Sequence, residues 1–167
     1  RGLADGRRQA PTQTLLRDLV EAIREARDDT RITGLYLDLG GMEGLGVAKL
    51  AEVTSAIDSF RESGKPVIAF SDFYEQGQYY VAAHADEIYL DPQGVAFIDG
   101  FANYGLFVKD AIDKLAIDWN VFRVGEYKSA TEMFSRNDMS PAEREESLAW
   151  LTALWGTYKD DVARARK

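Results

Sequence analysis

Ser63-Gly64-Lys65-Pro66-Val67-Ile68-Ala69-Phe70 holds the change of period that decides the fold. Just upstream, Leu50, Val53, Ile57 and Phe60 recur at three- and four-residue spacing, which predicts an amphipathic helix. Gly64 with Pro66 close behind is a helix stop. Val67 to Phe70 is then a short continuous apolar run, the pattern of a strand covered on both faces. Helix, stop, buried strand is the unit from which a parallel sheet is built, because parallel strands need a crossover between them.

Working outward, the same alternation continues. On the amino-terminal side, Leu15, Leu16, Leu19, Val20 and Ile23 predict a helix from Thr14, broken at Asp28-Asp29-Thr30. Ile32 to Leu39 reads as a buried strand, followed by the loop Gly40-Gly41-Met42-Glu43-Gly44-Leu45-Gly46. On the carboxyl side the pattern predicts a helix around Glu75 to Ala85 and a strand at Glu87 to Leu90. Asp91-Pro92-Gln93-Gly94 reads as a turn, with Pro presetting φ, before a short strand at Val95 to Ile98. A helix over Leu106 to Leu115 and a strand over Trp119 to Val124 follow. Two capping boxes, Ser129-Ala130-Thr131-Glu132 and Ser140-Pro141-Ala142-Glu143, announce helix starts. The second helix carries Leu148, Leu151, Trp155, Tyr158 and Val162 as a stripe that must pack on something. The expectation is an α/β domain with a mostly parallel sheet over residues 14–167, behind a mobile polar arm at 1–13.

Composition narrows the function. The chain has 167 residues, with 20 basic and 28 acidic side chains and a formal charge of −8. That balance argues against nucleic-acid binding, which needs basic surfaces to displace counterions. The absence of Cys removes thiol catalysis and thiolate metal sites. No apolar run approaches the ~20 residues of a membrane-spanning helix. With neither an initiator Met nor a Gly or Pro stop after Arg164-Ala165-Arg166-Lys167, the chain is expected to be a fragment whose anchor lies elsewhere.

Several residues are of types that carry chemistry. The Gly-rich loop fails the dinucleotide fingerprint at Lys49 and the phosphate loop at Val47. It remains a tight turn, or a ribbon in which Gly40 and Gly41 offer N–H groups to an oxyanion. His84 is the sole histidine, and no strained Ser elbow accompanies it, so a polar surface or helix-end role is expected. The pairs Asp28-Asp29, Glu145-Glu146 and Asp160-Asp161 read as solvated faces. Val124-Gly125-Glu126-Tyr127-Lys128-Ser129-Ala130 is different: a strand ends, Gly permits a turn, and a Lys falls at the mouth of a capped helix. Helix dipoles disfavour a cation there. A desolvated ammonium loses its proton more easily, and a neutral amine is a usable general base. At the ordinary pKa of ~10.4 only about one Lys in 2,500 is neutral at pH 7. On these grounds alone a solvated surface lysine stays open.

Phe122-Arg123-Val124-Gly125-Glu126-Tyr127-Lys128-Ser129-Ala130 and Asp138-Met139-Ser140-Pro141-Ala142-Glu143-Arg144-Glu145 closely resemble the amino-terminal half of the long-form bacterial signal peptide peptidase A (protease IV) family. Phe60-Arg61-Glu62-Ser63-Gly64-Lys65-Pro66-Val67, Gln76-Gly77-Gln78-Tyr79-Tyr80 and Asp91-Pro92-Gln93-Gly94 add to the resemblance in order and spacing. It implies a Clp protease/crotonase-like superhelix of β-α units. It also implies a Ser-Lys dyad serine peptidase that clears remnant signal peptides and other apolar peptides. The family works at the periplasmic face of the bacterial cytoplasmic membrane, as a homo-oligomer, without cofactor or metal.

Lys128 matches the catalytic base in Gly-x-Tyr-Lys-Ser-Ala. Gln76 stands where the nucleophilic Ser of the other half belongs, and an amide cannot serve. The Ser is therefore expected beyond Lys167, on a carboxy-terminal half of the same protein. Tyr79, Tyr80, Phe97, Phe101 and Tyr104 are candidates for an apolar peptide groove, with core packing expected for most. A non-catalytic scaffold or oligomerisation half, and a crotonase-like CoA-thioester enzyme, are the alternatives.

Overall fold

The computed structural model describes residues 14–118 and 131–167, in two compact units. The arm at 1–13, the expected strand at Trp119 to Val124, Lys128 and Ser129 lie outside the described residues.

The first unit runs to Ile98 and includes the last residues from Val162. Its elements alternate: α1 (Leu16–Asp28), β1 (Leu35–Asp38), α2 (Val47–Arg61), β2 (Val67–Glu75), α3 (Gln76–Ala82) and β3 (Glu87–Phe97). The strands form a parallel sheet in the order β1-β2-β3, so each connection is a helical crossover. The expected α/β class with a parallel sheet is what forms, in two successive β-α-β units. Leu50, Val53, Ile57 and Phe60 are all buried, as their spacing on α2 requires. Val67, Ala69 and Ser71 are buried on one face of β2, while Ile68 and Phe70 on the other are half-buried.

Two strands depart from expectation. β1 is not a buried strand: its residues alternate between half-buried and exposed, and Tyr36 is 61 % exposed. It lies at the edge of the sheet, where one flank has no partner strand among the described residues. Asp91-Pro92-Gln93-Gly94 does not end β3. Ser71 pairs with Leu90 and Phe73 with Val95, so the four residues bulge opposite Asp72 and the ladder resumes. The turn chemistry is real, since the Gln93 N–H donates to Asp91 Oδ1 at 2.8 Å. Pairing of Val95–Phe97 with Phe73–Glu75 outweighs it. Gly94 is required here, because a Cβ would overlap the Asp72 carbonyl oxygen.

The start of β2 is fastened on three sides. The Leu35 N–H donates to the Pro66 carbonyl at 2.8 Å. The Asp86 N–H donates to the Val67 carbonyl at 2.9 Å, and the Val67 N–H returns a bond to Asp86 Oδ2 at 2.8 Å. Arg61 grips the other carboxylate oxygen through Nε at 2.9 Å and Nη2 at 2.8 Å. The Lys65 ammonium donates to the carbonyls of Ala26, Arg27 and Asp29 at 2.8–3.0 Å, capping the carboxyl end of α1.

The second unit, Asp99–Asp161, holds α4 (Lys109–Lys114), α5 (Glu132–Ser135) and most of α6 (Pro141–Ala165). α4 is shorter than Leu106 to Leu115, because the Val108 N–H donates to the Met133 carbonyl at 2.7 Å and fixes where the helix begins. The Ser140 cap forms by half: the Glu143 N–H donates to Ser140 Oγ at 3.2 Å. The Ser140 N–H goes to Glu132 Oε2 at 3.1 Å rather than to Glu143. The other expected cap sits two residues late, with Thr131 as the cap of α5 and no side-chain cap bond there. On α6, Tyr158 is buried and stacks on Trp155, and Phe101 meets both rings edge-on. Leu148 at the start of the stripe is 58 % exposed and does not pack.

Two outcomes follow. Phe60→Ala should cost about 3–5 kcal/mol by urea unfolding, while Leu148→Ala should cost under about 1 kcal/mol; similar costs would contradict this core. The second concerns acid. Burial raises the Asp86 pKa, but the Val67 N–H bond and the hydrogen bond and charge of Arg61 outweigh it, leaving the pKa lowered. The folded-state value thus lies below the unfolded one, near ~3.9. The stabilisation is complete above that value and is lost as pH falls through the folded pKa. Asp86→Asn should flatten the dependence of the unfolding midpoint on pH between about 5 and 2; an unchanged slope would contradict the assignment.

Candidate functional site

In open α/β sheets ligands bind beyond the carboxyl ends of the strands. The first unit has an open cleft of about 440 Å³ there, walled by the Gly40–Gly44 ribbon, Ser71–Phe73, Glu75 and Gln78. Its floor is built from committed polar groups. The Gly40 N–H donates to Asp38 Oδ1 at 3.2 Å, and the Met42 N–H donates to the Leu39 carbonyl at 3.1 Å. The ribbon is therefore a closed turn at Gly40, and of the two readings of the loop the tight turn is the one observed at that residue.

α3 opens at the cleft with a capping box. The Glu75 N–H donates to Gln78 Oε1 at 2.8 Å, and the Glu75 side chain accepts from the Gln78 backbone. The buried Gln78 amide also donates to the Met42 carbonyl at 3.0 Å, tying the helix to the ribbon. Gln76 is the first residue of α3 and half-buried, so the position matching the nucleophile falls on this strand-to-helix turn.

Ser71, buried at the cleft, was not singled out from sequence. Its hydroxyl donates to the Phe73 carbonyl at 2.6 Å and accepts from the Phe73 N–H at 3.3 Å. It bridges the backbone where the β2 register shifts, and among the described residues its bonds are to the Phe73 backbone. Nearby, burial and then the neighbouring Tyr36 push the Tyr74 phenol up to about 12. Its hydroxyl donates to the Tyr89 carbonyl at 3.0 Å, so it is a structural donor.

His84 corrects the surface reading while keeping the helix-end one. It follows α3 but is buried, with Nδ1 2.8 Å from Asp58 Oδ1 and its ring tilted against Tyr80. Since a carboxylate only accepts, Nδ1 is the donor. The pair joins α2 to the end of α3. A lone His in a sequence gives no sign of a partner 26 residues away.

The five aromatics divide. Tyr80 is buried, Tyr79 meets Tyr74 edge-on, and Phe101 packs against Trp155 and Tyr158. Packing is thus the role of three. Phe97 is exposed and Tyr104 is 92 % exposed, and none of the five lines the cleft. Lys128 lies outside the described residues. Among the described residues no group of His, Asp and Glu is placed to hold a metal ion, and no helix is long and apolar enough to cross a membrane.

The family model for "Peptidase family S49" matches residues 59–167, which takes in β2, the cleft wall from Ser71 to Gln78, Lys128 and all of the second unit. The chain belongs to peptidase family S49. It is 47 % identical over 150 residues to "Protease 4" of Salmonella typhi, covering 90 % of this chain and 24 % of that protein. It is 46 % identical over 149 residues to "Protease 4" of Haemophilus influenzae, covering 89 % and 24 %. "Serine protease SPPA, chloroplastic" of Arabidopsis thaliana is 28 % identical over 150 residues, covering 90 % and 22 %. The S49 chain thus spans about a quarter of the length of these relatives. An enoyl-CoA hydratase/isomerase family protein of Silicibacter pomeroyi is a loose structural neighbour, with TM-score 0.36 and 16 % identity over 96 % of this chain and 81 % of that one. That likeness is too loose to bear on chemistry.

The bonding of Ser71 gives a direct outcome. Ser71→Ala should cost about 1 kcal/mol in unfolding free energy, and a phosphonofluoridate that modifies activated serines should leave Ser71 unmodified. Modification at Ser71 would contradict its structural role.

Proposed function

We propose that this S49 chain is the lysine-bearing amino-terminal half of a membrane-associated serine endopeptidase that degrades cleaved signal peptides through a Ser-Lys dyad. The observation that carries the reading is the 47 % identity to "Protease 4" over 90 % of the chain. The relative named "Serine protease SPPA" supports the serine class.

In this reading the neutral Lys128 amine takes the proton from a Ser hydroxyl supplied by a carboxy-terminal half. The Ser oxygen bonds to the peptide carbonyl carbon, and the tetrahedral intermediate expels the amine, which carries away a proton. The acyl-enzyme is then hydrolysed by water. Two features of this chain favour a nucleophile elsewhere. Gln76 occupies the matching position, and Ser71 at the cleft is bound to backbone. With the Gly40 N–H committed to Asp38, this reading assigns no catalytic role to the Gly40-Gly41 ribbon. The partners are remnant signal peptides and other apolar peptides, the carboxy-terminal half, and further copies of the protein. Its place is the periplasmic face of the bacterial cytoplasmic membrane, reached through an anchor outside these 167 residues.

The test is Lys128→Ala in the intact protein. Peptide hydrolysis should fall by at least about 10³-fold with the oligomeric state unchanged on a sizing column. Hydrolysis retained within a few-fold would overturn the dyad and favour a scaffold role for this half.

A further inference from the structure

β3 is an edge strand, with no partner strand on its far flank among the described residues. Edge strands present a row of unpaired N–H and C=O groups, which proteins blunt with charges, Pro or a bulge. β3 spends its Pro92 and its bulge at Asp91–Gly94, before the ladder resumes. The stretch that follows, Val95-Ala96-Phe97-Ile98, carries no charge. The register sets Val95 beside Phe73 and Phe97 beside Glu75, on strands about 4.8 Å apart. Alternation puts those four side chains on one face of the sheet. Phe73, Val95 and Phe97 are 43 %, 52 % and 55 % exposed, so this face is an open apolar strip at an open edge.

The strip shares Phe73 with the cleft, which Glu43, Asp72 and Glu75 line with exposed carboxylates. That combination selects the occupant. A second copy of this chain, itself of charge −8, would bring another set of the same carboxylates to the strip. Like charges brought together across an interface cost free energy. An extended segment with an apolar run beside basic residues meets both features. Its backbone continues the ladder, its alternate side chains cover Val95 and Phe97, and its cations face the carboxylates. A basic end followed by an apolar run is the composition of a secretory signal peptide.

We infer that the Val95–Ile98 edge of β3 is a docking strand for the peptide substrate, which adds there as an extended strand with its basic end toward the carboxylates of Asp72 and Glu75. The inference rests on the peptidase reading above and goes beyond it, since it gives a binding surface to the half which that reading leaves without a nucleophile. The edge holds the peptide and does not cleave it: Gln76 stands at the adjoining turn, and the Ser71 hydroxyl is bound to the Phe73 backbone. Every residue of the surface belongs to the first unit.

The experiment uses the full-length protein and a synthetic peptide with a lysine pair ahead of an apolar run of about eight residues, the run carrying a benzophenone. Photo-cross-links are mapped by mass spectrometry in the parent and in Lys128→Ala, and kcat and KM are measured for the same peptide without the label. Adducts should fall on Val95–Ile98. Phe97→Lys removes an apolar side chain and sets a cation against the lysine pair. It should abolish those adducts and raise KM at least about 10-fold, with kcat within about 2-fold of the parent. Phe97→Leu should keep KM within about 3-fold. Asp72→Asn should raise KM about 2- to 5-fold for this peptide, but not for one with glutamates in place of the lysines. The adduct map is made on the parent, so it decides even where Phe97→Lys does not fold. Three results would each overturn the inference: no adducts on Val95–Ile98, a Phe97→Lys effect absent or confined to kcat, or protection of this strand from hydrogen exchange in the peptide-free protein (the sign that another part of the protein or a second copy already covers it). All three leave an inactive Lys128→Ala, and so the dyad, intact. Hydrolysis by Lys128→Ala would overturn the dyad reading and leave the adduct map to stand separately.

Discussion

The sheet depends on how its middle strand is entered. Within three residues, Lys65, Pro66 and Val67 bind the end of α1, the start of β1 and the start of β3. Asp86 is the hinge of that arrangement, since its backbone and its carboxylate both bind Val67 while Arg61 neutralises it from the end of α2. Remove the carboxylate and the Val67 N–H at the head of β2 loses its acceptor. The register from Ile68–Glu87 onward then keeps at its origin only the Asp86 N–H bond to the Val67 carbonyl and apolar packing, which does not specify alignment as sharply.

With that origin fixed, the far end of the sheet follows. β2 runs past Phe70 to Glu75, the bulge at Asp91–Gly94 absorbs the extra residues of β3, and the Ser71 hydroxyl bridges the irregularity. The cleft beyond the strand ends is accordingly a built feature, in which the Gly40 N–H, the Ser71 hydroxyl, the Glu75 side chain and the Gln78 amide hold the ribbon, the bulge and α3 together.

The sequence revealed the elements whose cause is local. Helical spacing on α2, the Gly64-Pro66 stop and the apolar run at Val67 need no knowledge of distant residues, and all three formed. What it concealed depends on partners far along the chain. β1 looked buried because Leu35, Leu37 and Leu39 are apolar, but its place at the edge of the sheet leaves Tyr36 open. The Asp91–Gly94 turn looked like a strand end because pairing with Phe73–Glu75 is invisible locally. His84 and Glu132 are buried by contacts with Asp58 and Ser140 that no motif announces. The candidate base, Lys128, was legible only through its motif, Gly125-Glu126-Tyr127-Lys128-Ser129-Ala130, and through family resemblance.

The central claim is that one amine in this family member gives up its proton near neutral pH. The most direct measurement is an NMR titration of the intact protein after reductive ¹³C-methylation of its lysines, with Lys128→Arg as the assignment control. The account predicts one resonance titrating at least about two units below the ordinary ~10.4, absent in the control. A Lys128 resonance that titrates with the surface lysines, in a protein that still hydrolyses peptides, would contradict it.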